Sequence, residues 1–366
     1  MEKHQERFEI LDGIRGFASL YIVFHHARLV CWESYNTGYL IHPHLYNYFD
    51  LVCLYFFSIF KYGAEAVTLF FVLSGLVIHY KQAHGINNKS NFYEFNFFRY
   101  LKNRVRRIYP PLIFSIILMV LLAFLSFLLF NKNYPDNLSL VTILGNLSFI
   151  SLPYFSVVGN NFPLWSLRVE WWIYLVYPLL LFINAKKVYL SYLLVFSFGL
   201  VIFYCNFNRS YFWIETFLYL PTWSIGVYLA DLFSGRVKYY RFINLLFVFI
   251  PISVIIQGKL NNYFSDFIFG LGLIPVFYFI LENKQSTLKN ALKNIIIPYK
   301  ALSKFSYTLY IIHFPIQTFI ISIYLTYHQN KLPHSFDLAI FSVFVSIIVA
   351  YLAHFITEAK IRKINN

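Results

Sequence analysis

Two ionisable residues in the first apolar segment could carry out chemistry inside a membrane. Arg15 and His26 lie eleven residues apart, which on an α-helix places them within about 20° of each other. The neighbouring His25 falls about 80° away, so His26 is the histidine that shares a face with Arg15. A guanidinium binds anions and a neutral imidazole accepts protons. Charged groups in lipid are costly, so they indicate either a functional site or an internal ion pair. The helical rise separates the two residues by roughly 16 Å, so each could serve a different end of one extended substrate.

A carboxylate that could assist the histidine lies in a later apolar segment. Glu170 follows Trp165 closely, at the end of that segment expected to lie at about the depth of His26. A carboxylate near an imidazole fixes its tautomer and stabilises the imidazolium, which a general base requires. The alternative is that Arg168 and Glu170 are interfacial residues of an aromatic belt.

A basic cluster precedes the third long apolar segment. Arg104 and Arg107 have i, i+3 spacing, which on a helix would let both guanidiniums bind the oxygens of a phosphate. Basic residues at the end of a membrane span also serve topology alone. The expected depth of the cluster, equal to that of Arg15, favours an anion-binding site at the cytoplasmic side.

Further polar residues in the apolar segments could line a substrate path. Tyr310 and His313 fall on one face of the ninth segment, although a single hydrogen bond to a neighbouring helix would also explain His313. Ser74 and Gly75 suit close helix packing or an approach of the backbone to a ligand, and we favour packing. The possible substrate-lining residues are Asp12, Ser74, Tyr174, Tyr310 and His313.

The composition indicates that membrane helices position these residues. The chain of 366 residues is 59% hydrophobic and 13% charged, with a mean hydropathy of +0.58, whereas a soluble domain is about 25% charged. Segments near the length of about 20 residues that crosses a bilayer predict an all-α, polytopic membrane bundle of about ten helices. We expect a single membrane domain, 1–366, without an appended soluble domain. The predicted spans lie near 9–30, 63–80, 110–130, 165–183, 188–205, 211–233, 240–257, 264–282, 305–325 and 337–357.

Two shorter apolar pieces, Tyr48–Phe60 and Leu140–Phe155, are predicted to be interfacial or re-entrant, although either could make an eleventh span. Most lysine and arginine residues fall in alternate loops, which predicts that both termini are cytoplasmic. The same topology explains the net charge of +14 without a nucleic-acid partner. We therefore expect a multi-pass protein of the inner, or cytoplasmic, membrane.

Missing motifs argue against several classes of function. The sequence has no H-E-x-x-H, Walker P-loop, G-x-S-x-G or D-x-D motif, so metal-dependent hydrolysis, ATP-driven transport and a typical glycosyl-transfer site lose support. Cys31, Cys53 and Cys205 are far apart and predict neither a disulfide framework nor a zinc site. We expect no metal.

Five stretches of the sequence resemble, in order, the motifs of the acyltransferase 3 family of membrane O-acyltransferases. The first resembles the family's basic residue, ten residues, then histidine, and selects Arg15 with His26. The third resembles its R-x-x-R motif at Arg104 and Arg107, and the fourth matches Glu170 and Tyr174 to W-S-L-x-V-E-x-x-x-Y. The stretches are Leu11–Ala27, Leu69–Ile78, Arg104–Leu112, Pro163–Leu181 and Ser306–Ile316.

The resemblance implies a membrane O-acyltransferase that moves an acyl group, usually acetyl from acetyl-CoA, to a hydroxyl of a cell-envelope saccharide. In that setting Arg15, Arg104 and Arg107 would bind the phosphates of acyl-CoA, the donor. His26 would be the general base, aided by Glu170. The partners would be acyl-CoA, the lipid bilayer and a carbohydrate or lipid-linked saccharide acceptor.

Two other functions fit the same residues. A secondary transporter or flippase of an acylated or lipid-linked sugar also uses intramembrane Arg, Glu and His, but the sequence shows no inverted repeat. A non-catalytic membrane scaffold would not require ionisable residues aligned by depth.

Overall fold

Helices form the regular structure in the part of this chain that can be described. The computed structural model describes residues 2–87, 95–130, 137–150, 154–205, 212–282 and 287–359, and this part of the chain contains no strand. The all-α class is confirmed. Tyr211, where the sixth predicted span begins, and residues 151–153 of the second short apolar piece lie outside the described residues. The helices are α1 Glu2–Val30, α2 Tyr48–Phe57, α3 Gly63–Asn87, α4 Phe97–Phe130, α5 Leu140–Leu147, α6 Leu164–Lys186, α7 Val188–Tyr204, α8 Phe212–Phe233, α9 Phe249–Ile256, α10 Asn262–Glu282, α11 Thr287–Ile296, α12 Lys300–Ser303, α13 Ser306–Tyr327 and α14 Asp337–Thr357.

Many of these helices have the length and apolar character of membrane spans. Within the described ranges, six helical stretches could cross a bilayer by length and composition. Two shorter apolar helical stretches, Val188–Tyr204 and Arg241–Ile256, accompany them. The six are Tyr48–Asn87, Phe97–Phe130, Leu164–Lys186, Asn262–Glu282, Ser306–Tyr327 and Asp337–Thr357.

Two helical stretches show that helices need not share the bounds of the predicted membrane spans. Helix α4 begins at Phe97 rather than near residue 110, because residues too polar for the lipid interior still form helix. The predicted span 240–257 is a 3-10 helix, Arg241–Val248, that continues into α9. Pro251 in the first turn of α9 has no N–H to donate, which favours such an irregular start.

The chain packs as two compact units, which are described separately. The first consists of Met1–Arg15, Ala64–Arg104 and Ser166–Lys300. Its core contains the buried side chains of Leu76 on α3, Leu229 on α8 and Phe277 on α10. Burial of apolar and aromatic side chains from these helices stabilises their packing in the first unit.

Helices α3 and α8 approach each other closely in the first unit because glycines face each other. A Cβ added to Gly75 would lie 2.2 Å from the carbonyl oxygen of Trp223, and one added to Gly226 would lie 2.1 Å from that of Val72. Only residues without a Cβ permit this backbone contact. The close helix packing favoured for Gly75 is present.

The second unit consists of Gly16–Gly63, Val105–Trp165 and Ala301–Asn366. The C-terminal part of α1 packs there with α13 and α14 around Val23, Leu309 and Val343. Glu358, which follows α14, accepts hydrogen bonds from the backbone N–H of Thr308 at 2.9 Å and from its hydroxyl at 2.7 Å. This carboxylate satisfies a donor in the first turn of α13 and holds the helix that carries His313.

Candidate active site

The N-terminal part of α1, in the first unit, carries an ion pair. The guanidinium of Arg15 donates a hydrogen bond from Nη1 to Oδ1 of Asp12, at 2.9 Å and i, i+3 spacing. The Arg15 side chain is 16% exposed and that of Asp12 is 40% exposed. Asp12 therefore orients the guanidinium of Arg15 by an interaction within one helix. The ion pair is weak because the Asp12 side chain is partly exposed.

His26, in the second unit, lies against a second histidine that is fully buried. Nδ1 of His26 is 3.0 Å from Nε2 of His313, and Nδ1 of His313 is 3.1 Å from the carbonyl oxygen of Leu309. A carbonyl only accepts hydrogen bonds, so Nδ1 of His313 carries the proton. Nε2 of neutral His313 is then an acceptor and receives the proton of His26 Nδ1.

This chain of hydrogen bonds decides which nitrogen of His26 is basic. With Nδ1 donating to His313, the lone pair of neutral His26 is on Nε2. His313 is 0% exposed, whereas His26 is half-buried. The arrangement leaves Nε2 of His26 as the nitrogen that can accept a proton from a substrate.

The adjacent His25 is used for packing. Its Nδ1 lies 2.7 Å from the carbonyl oxygen of Phe60, and a Cβ added to Gly63 would lie 2.4 Å from its ring. Its Nδ1–H is therefore committed to the backbone. The two histidines have different surroundings, as their helical phase predicts.

In the first unit, Glu170 is bound by two hydroxyl groups. The Oγ of Ser74 donates to Oε1 of Glu170 at 2.6 Å, and the hydroxyl of Tyr174 donates to the same oxygen. The two hydroxyls are 3.1 Å apart. Because both bind Oε1, neither occupies Oε2. The predicted assistance of Glu170 to His26 stays a prediction.

Arg104, also in the first unit, has its guanidinium over two aromatic rings. Its Cζ lies 5.6 Å from the ring centroids of both Tyr100 and Tyr174, which is within the range of cation–π attraction. Its Nε and Nη1 atoms are buried and, among the described residues, have no hydrogen-bond partner. Two N–H donors held in place without an acceptor suit an anionic ligand. Arg107 belongs to the second unit and is half-buried.

Two other predicted polar residues have protein partners within their own units. Arg168 forms an ion pair with Glu215, which itself accepts a hydrogen bond from Tyr263 at 3.4 Å. The hydroxyl of Tyr310 donates to the carbonyl oxygen of Pro163, also at 3.4 Å. These contacts hold Arg168 and Tyr310 in place.

A buried polar network in the first unit was missed by the sequence analysis. Asp231 accepts hydrogen bonds from His79 at 3.1 Å, Asn184 at 2.8 Å and Arg236 at 2.5 Å, and from the hydroxyl of Tyr192. Asp231, His79 and Asn184 are 0% exposed. His79 and Asp231 lie inside predicted spans, so the rule that singled out Arg15 and His26 would have found them.

Comparison with known proteins identifies the family. Residues 8–355 match the family model described as an acyltransferase domain, Acyl_transf_3. No curated protein and no solved structure matches the chain. The match extends over nearly the whole chain, and the chain is therefore a membrane acyltransferase that belongs to the acyltransferase 3 family.

Proposed function

We propose that the protein transfers an acyl group, acetyl in the simplest case, from acyl-CoA to a hydroxyl of a cell-envelope saccharide. The observation that carries this proposal is the His26–His313 pair. It gives a member of an acyltransferase family an imidazole with a defined basic nitrogen. Acyl transfer to a hydroxyl requires such a base, because a neutral hydroxyl is a weak nucleophile.

His26 acts as general base and then as general acid. Its Nε2 takes the proton of the acceptor hydroxyl as that oxygen attacks the thioester carbonyl, forming the C–O bond. The C–S bond breaks, and the proton passes from Nε2 to the thiolate, which leaves as the free thiol of CoA. His313 Nε2 accepts the Nδ1–H of His26 throughout, and this hydrogen bond stabilises the imidazolium that forms. The step requires no metal.

The arginines bind the donor in this proposal. Arg104 has buried N–H donors without a protein acceptor among the described residues, and a phosphate of acyl-CoA supplies the oxygens that they need. Arg15 and Arg107 contribute further positive charge to the phosphates. Of the three arginines, Arg104 is the best-supported ligand of the phosphates, because its contacts are the most clearly defined.

The family resemblance assigns Glu170 to the acceptor side, as an aid to His26. Ser74 and Tyr174 fix its carboxylate through Oε1. Carboxylate oxygens also accept hydrogen bonds from sugar hydroxyls. The acceptor is a carbohydrate or lipid-linked saccharide, and the enzyme acts in the inner membrane with both termini in the cytoplasm.

The proposal is tested by mass spectrometry of envelope glycans from cells with the wild-type gene, a deletion, and the variants His26→Ala and His25→Ala. We expect the acyl mass increment to disappear in the deletion and in His26→Ala, and to persist in His25→Ala, whose imidazole is committed to Phe60. Immunoblotting of membranes checks that the variants are equally abundant. An acyl increment that survives in His26→Ala at normal abundance contradicts the assignment.

A further inference from the structure

Three helices of the first unit present a set of buried oxygen atoms. Helix α3 contributes Glu65 and Thr68, α8 contributes Tyr219 and Thr222, and α10 contributes Asp266. On α3 and α8 the two residues are three apart and therefore share a face. All five residues are at most 7% exposed. Nothing in the acyl-transfer mechanism uses them.

Close contacts place these faces together. A Cβ added to Gly270, one turn after Asp266, would lie 3.4 Å from the Thr222 methyl group and 3.9 Å from that of Thr68. The Tyr219 hydroxyl donates to Oδ2 of Asp266 at 3.0 Å. The two threonines therefore form one layer beside Gly270, and the acidic residues form the next layer, one helical turn away.

Two oxygens of this set lack a hydrogen-bond partner. Oε1 of Glu65 and Oγ1 of Thr222 are buried atoms without a partner in the part of the chain that the structure describes, whereas the Thr68 hydroxyl interacts with the carboxyl group of Asp266. Oε2 of Glu65 accepts from Gln257 at 3.2 Å. Leaving a buried polar atom without a partner destabilises the folded state, so two such atoms in one place indicate that something else binds there.

The charges lead to the same conclusion. The carboxyl groups of Glu65 and Asp266 interact with each other electrostatically, and the hydrogen bonds that they accept come from neutral donors. Arg168, a buried cation of the same unit, pairs with Glu215 instead. Two buried carboxylates facing each other without a cation cannot both remain ionised. The pair must hold a proton or bind a positive ion.

We propose that Glu65, Thr68, Thr222 and Asp266 form a binding site for a small monovalent cation of the Na⁺ class, separate from the acyl-transfer chemistry. Carboxylate and hydroxyl oxygens are hard ligands of the kind that bind such ions. Ca²⁺ takes six to eight oxygens. The four side chains carry six, but Oε2 of Glu65 and Oδ2 of Asp266 already accept hydrogen bonds from Gln257 and Tyr219, so too few remain for Ca²⁺. Among the described residues, no set of three His, Cys, Asp or Glu side chains could hold a metal ion. The threonine hydroxyls must therefore supply part of the coordination of the ion.

The test is the thermal stability of the full-length protein in detergent as Na⁺ replaces choline at constant ionic strength. An ion that binds only the folded state raises the midpoint of a chain of this length by roughly 3–4 °C at 100 times its Kd. We expect this shift with Na⁺ and none with choline. A midpoint insensitive to Na⁺ but raised by acidic pH means that the carboxyl pair binds only a proton, and a shift produced only by Ca²⁺ also overturns the proposal.

Paired variants separate ion binding from folding. Glu65→Gln and Thr222→Val remove ligands, and we expect each to abolish the Na⁺ shift or to weaken the apparent affinity at least about tenfold. Glu6→Gln removes a partly exposed carboxylate that pairs with Lys293 and should leave the shift intact. If Thr222→Val folds and keeps the full Na⁺ response, the hydroxyl is not a ligand and the site is wrong. This readout does not depend on acyl transfer, so the two proposals fail separately.

Discussion

The Asp231 network and the His26–His313 pair are both buried polar clusters, but the protein uses their hydrogen-bonding capacity to different degrees. Asp231 accepts from four side chains. The histidine pair ends at Nε2 of His26, whose lone pair accepts no hydrogen bond from the described residues. A saturated cluster has no capacity left for a ligand and contributes to stability. A cluster with one unused acceptor or donor can take part in a reaction.

The largest expected effect comes from Asp231→Ala. The change leaves Arg236 and His79 buried without their carboxylate, which costs roughly 3–5 kcal/mol of unfolding free energy. The thermal midpoint in detergent and the amount of protein in the membrane should both fall. Glu9→Ala, which removes a partly exposed ion pair with Lys300, is the control and should cost less than about 1 kcal/mol. Equal stability of the two variants would show that the Asp231 network stabilises the protein no more than a partly exposed ion pair does.

The next effect concerns His313. His313→Leu removes the acceptor of the His26 Nδ1–H and should lower kcat about 100-fold, because the tautomer of the base is no longer fixed. His313→Gln retains an amide oxygen and should recover part of that loss. The comparison requires kcat and KM measured in vesicles with acyl-CoA and a saccharide acceptor. Equal rates for the two variants would assign His313 to packing only.

The smallest expected effect is that of Arg104→Lys. Lysine keeps the charge but loses the planar set of N–H donors that lies over Tyr100 and Tyr174, so we expect KM for acyl-CoA to rise about tenfold with little change in kcat. Arg99→Lys, on the same helix, is the matched control and should leave KM unchanged. A change in kcat alone would show that Arg104 does not act through donor binding.

The sequence predicted the helical class because apolar runs of membrane length have few other structures open to them. It also separated His26 from His25, since helical phase is local information. It did not predict that His313 would be the partner of His26, because a pairing across 287 positions depends on how α1 and α13 pack. Hydropathy also underestimated the length of α4, because its first turns are helical but not apolar.

The carboxylates were missed for a different reason. Glu65, Asp231 and Asp266 stand singly within apolar runs, without a neighbouring motif to draw attention to them. Their partners come from other helices and are invisible in one linear sequence. The cost of an intramembrane charge, applied to every such residue, was the available signal.

The contact between Gly75 and Gly226 has a consequence for selectivity by size. It fixes the spacing of α3 and α8, the two helices that carry Thr68 and Thr222. Hydroxyl oxygens at a fixed separation fit one ionic radius better than another, so a rigid backbone contact can favour Na⁺ over the larger K⁺. A side chain added at either glycine would wedge the helices apart and would be expected to alter this preference.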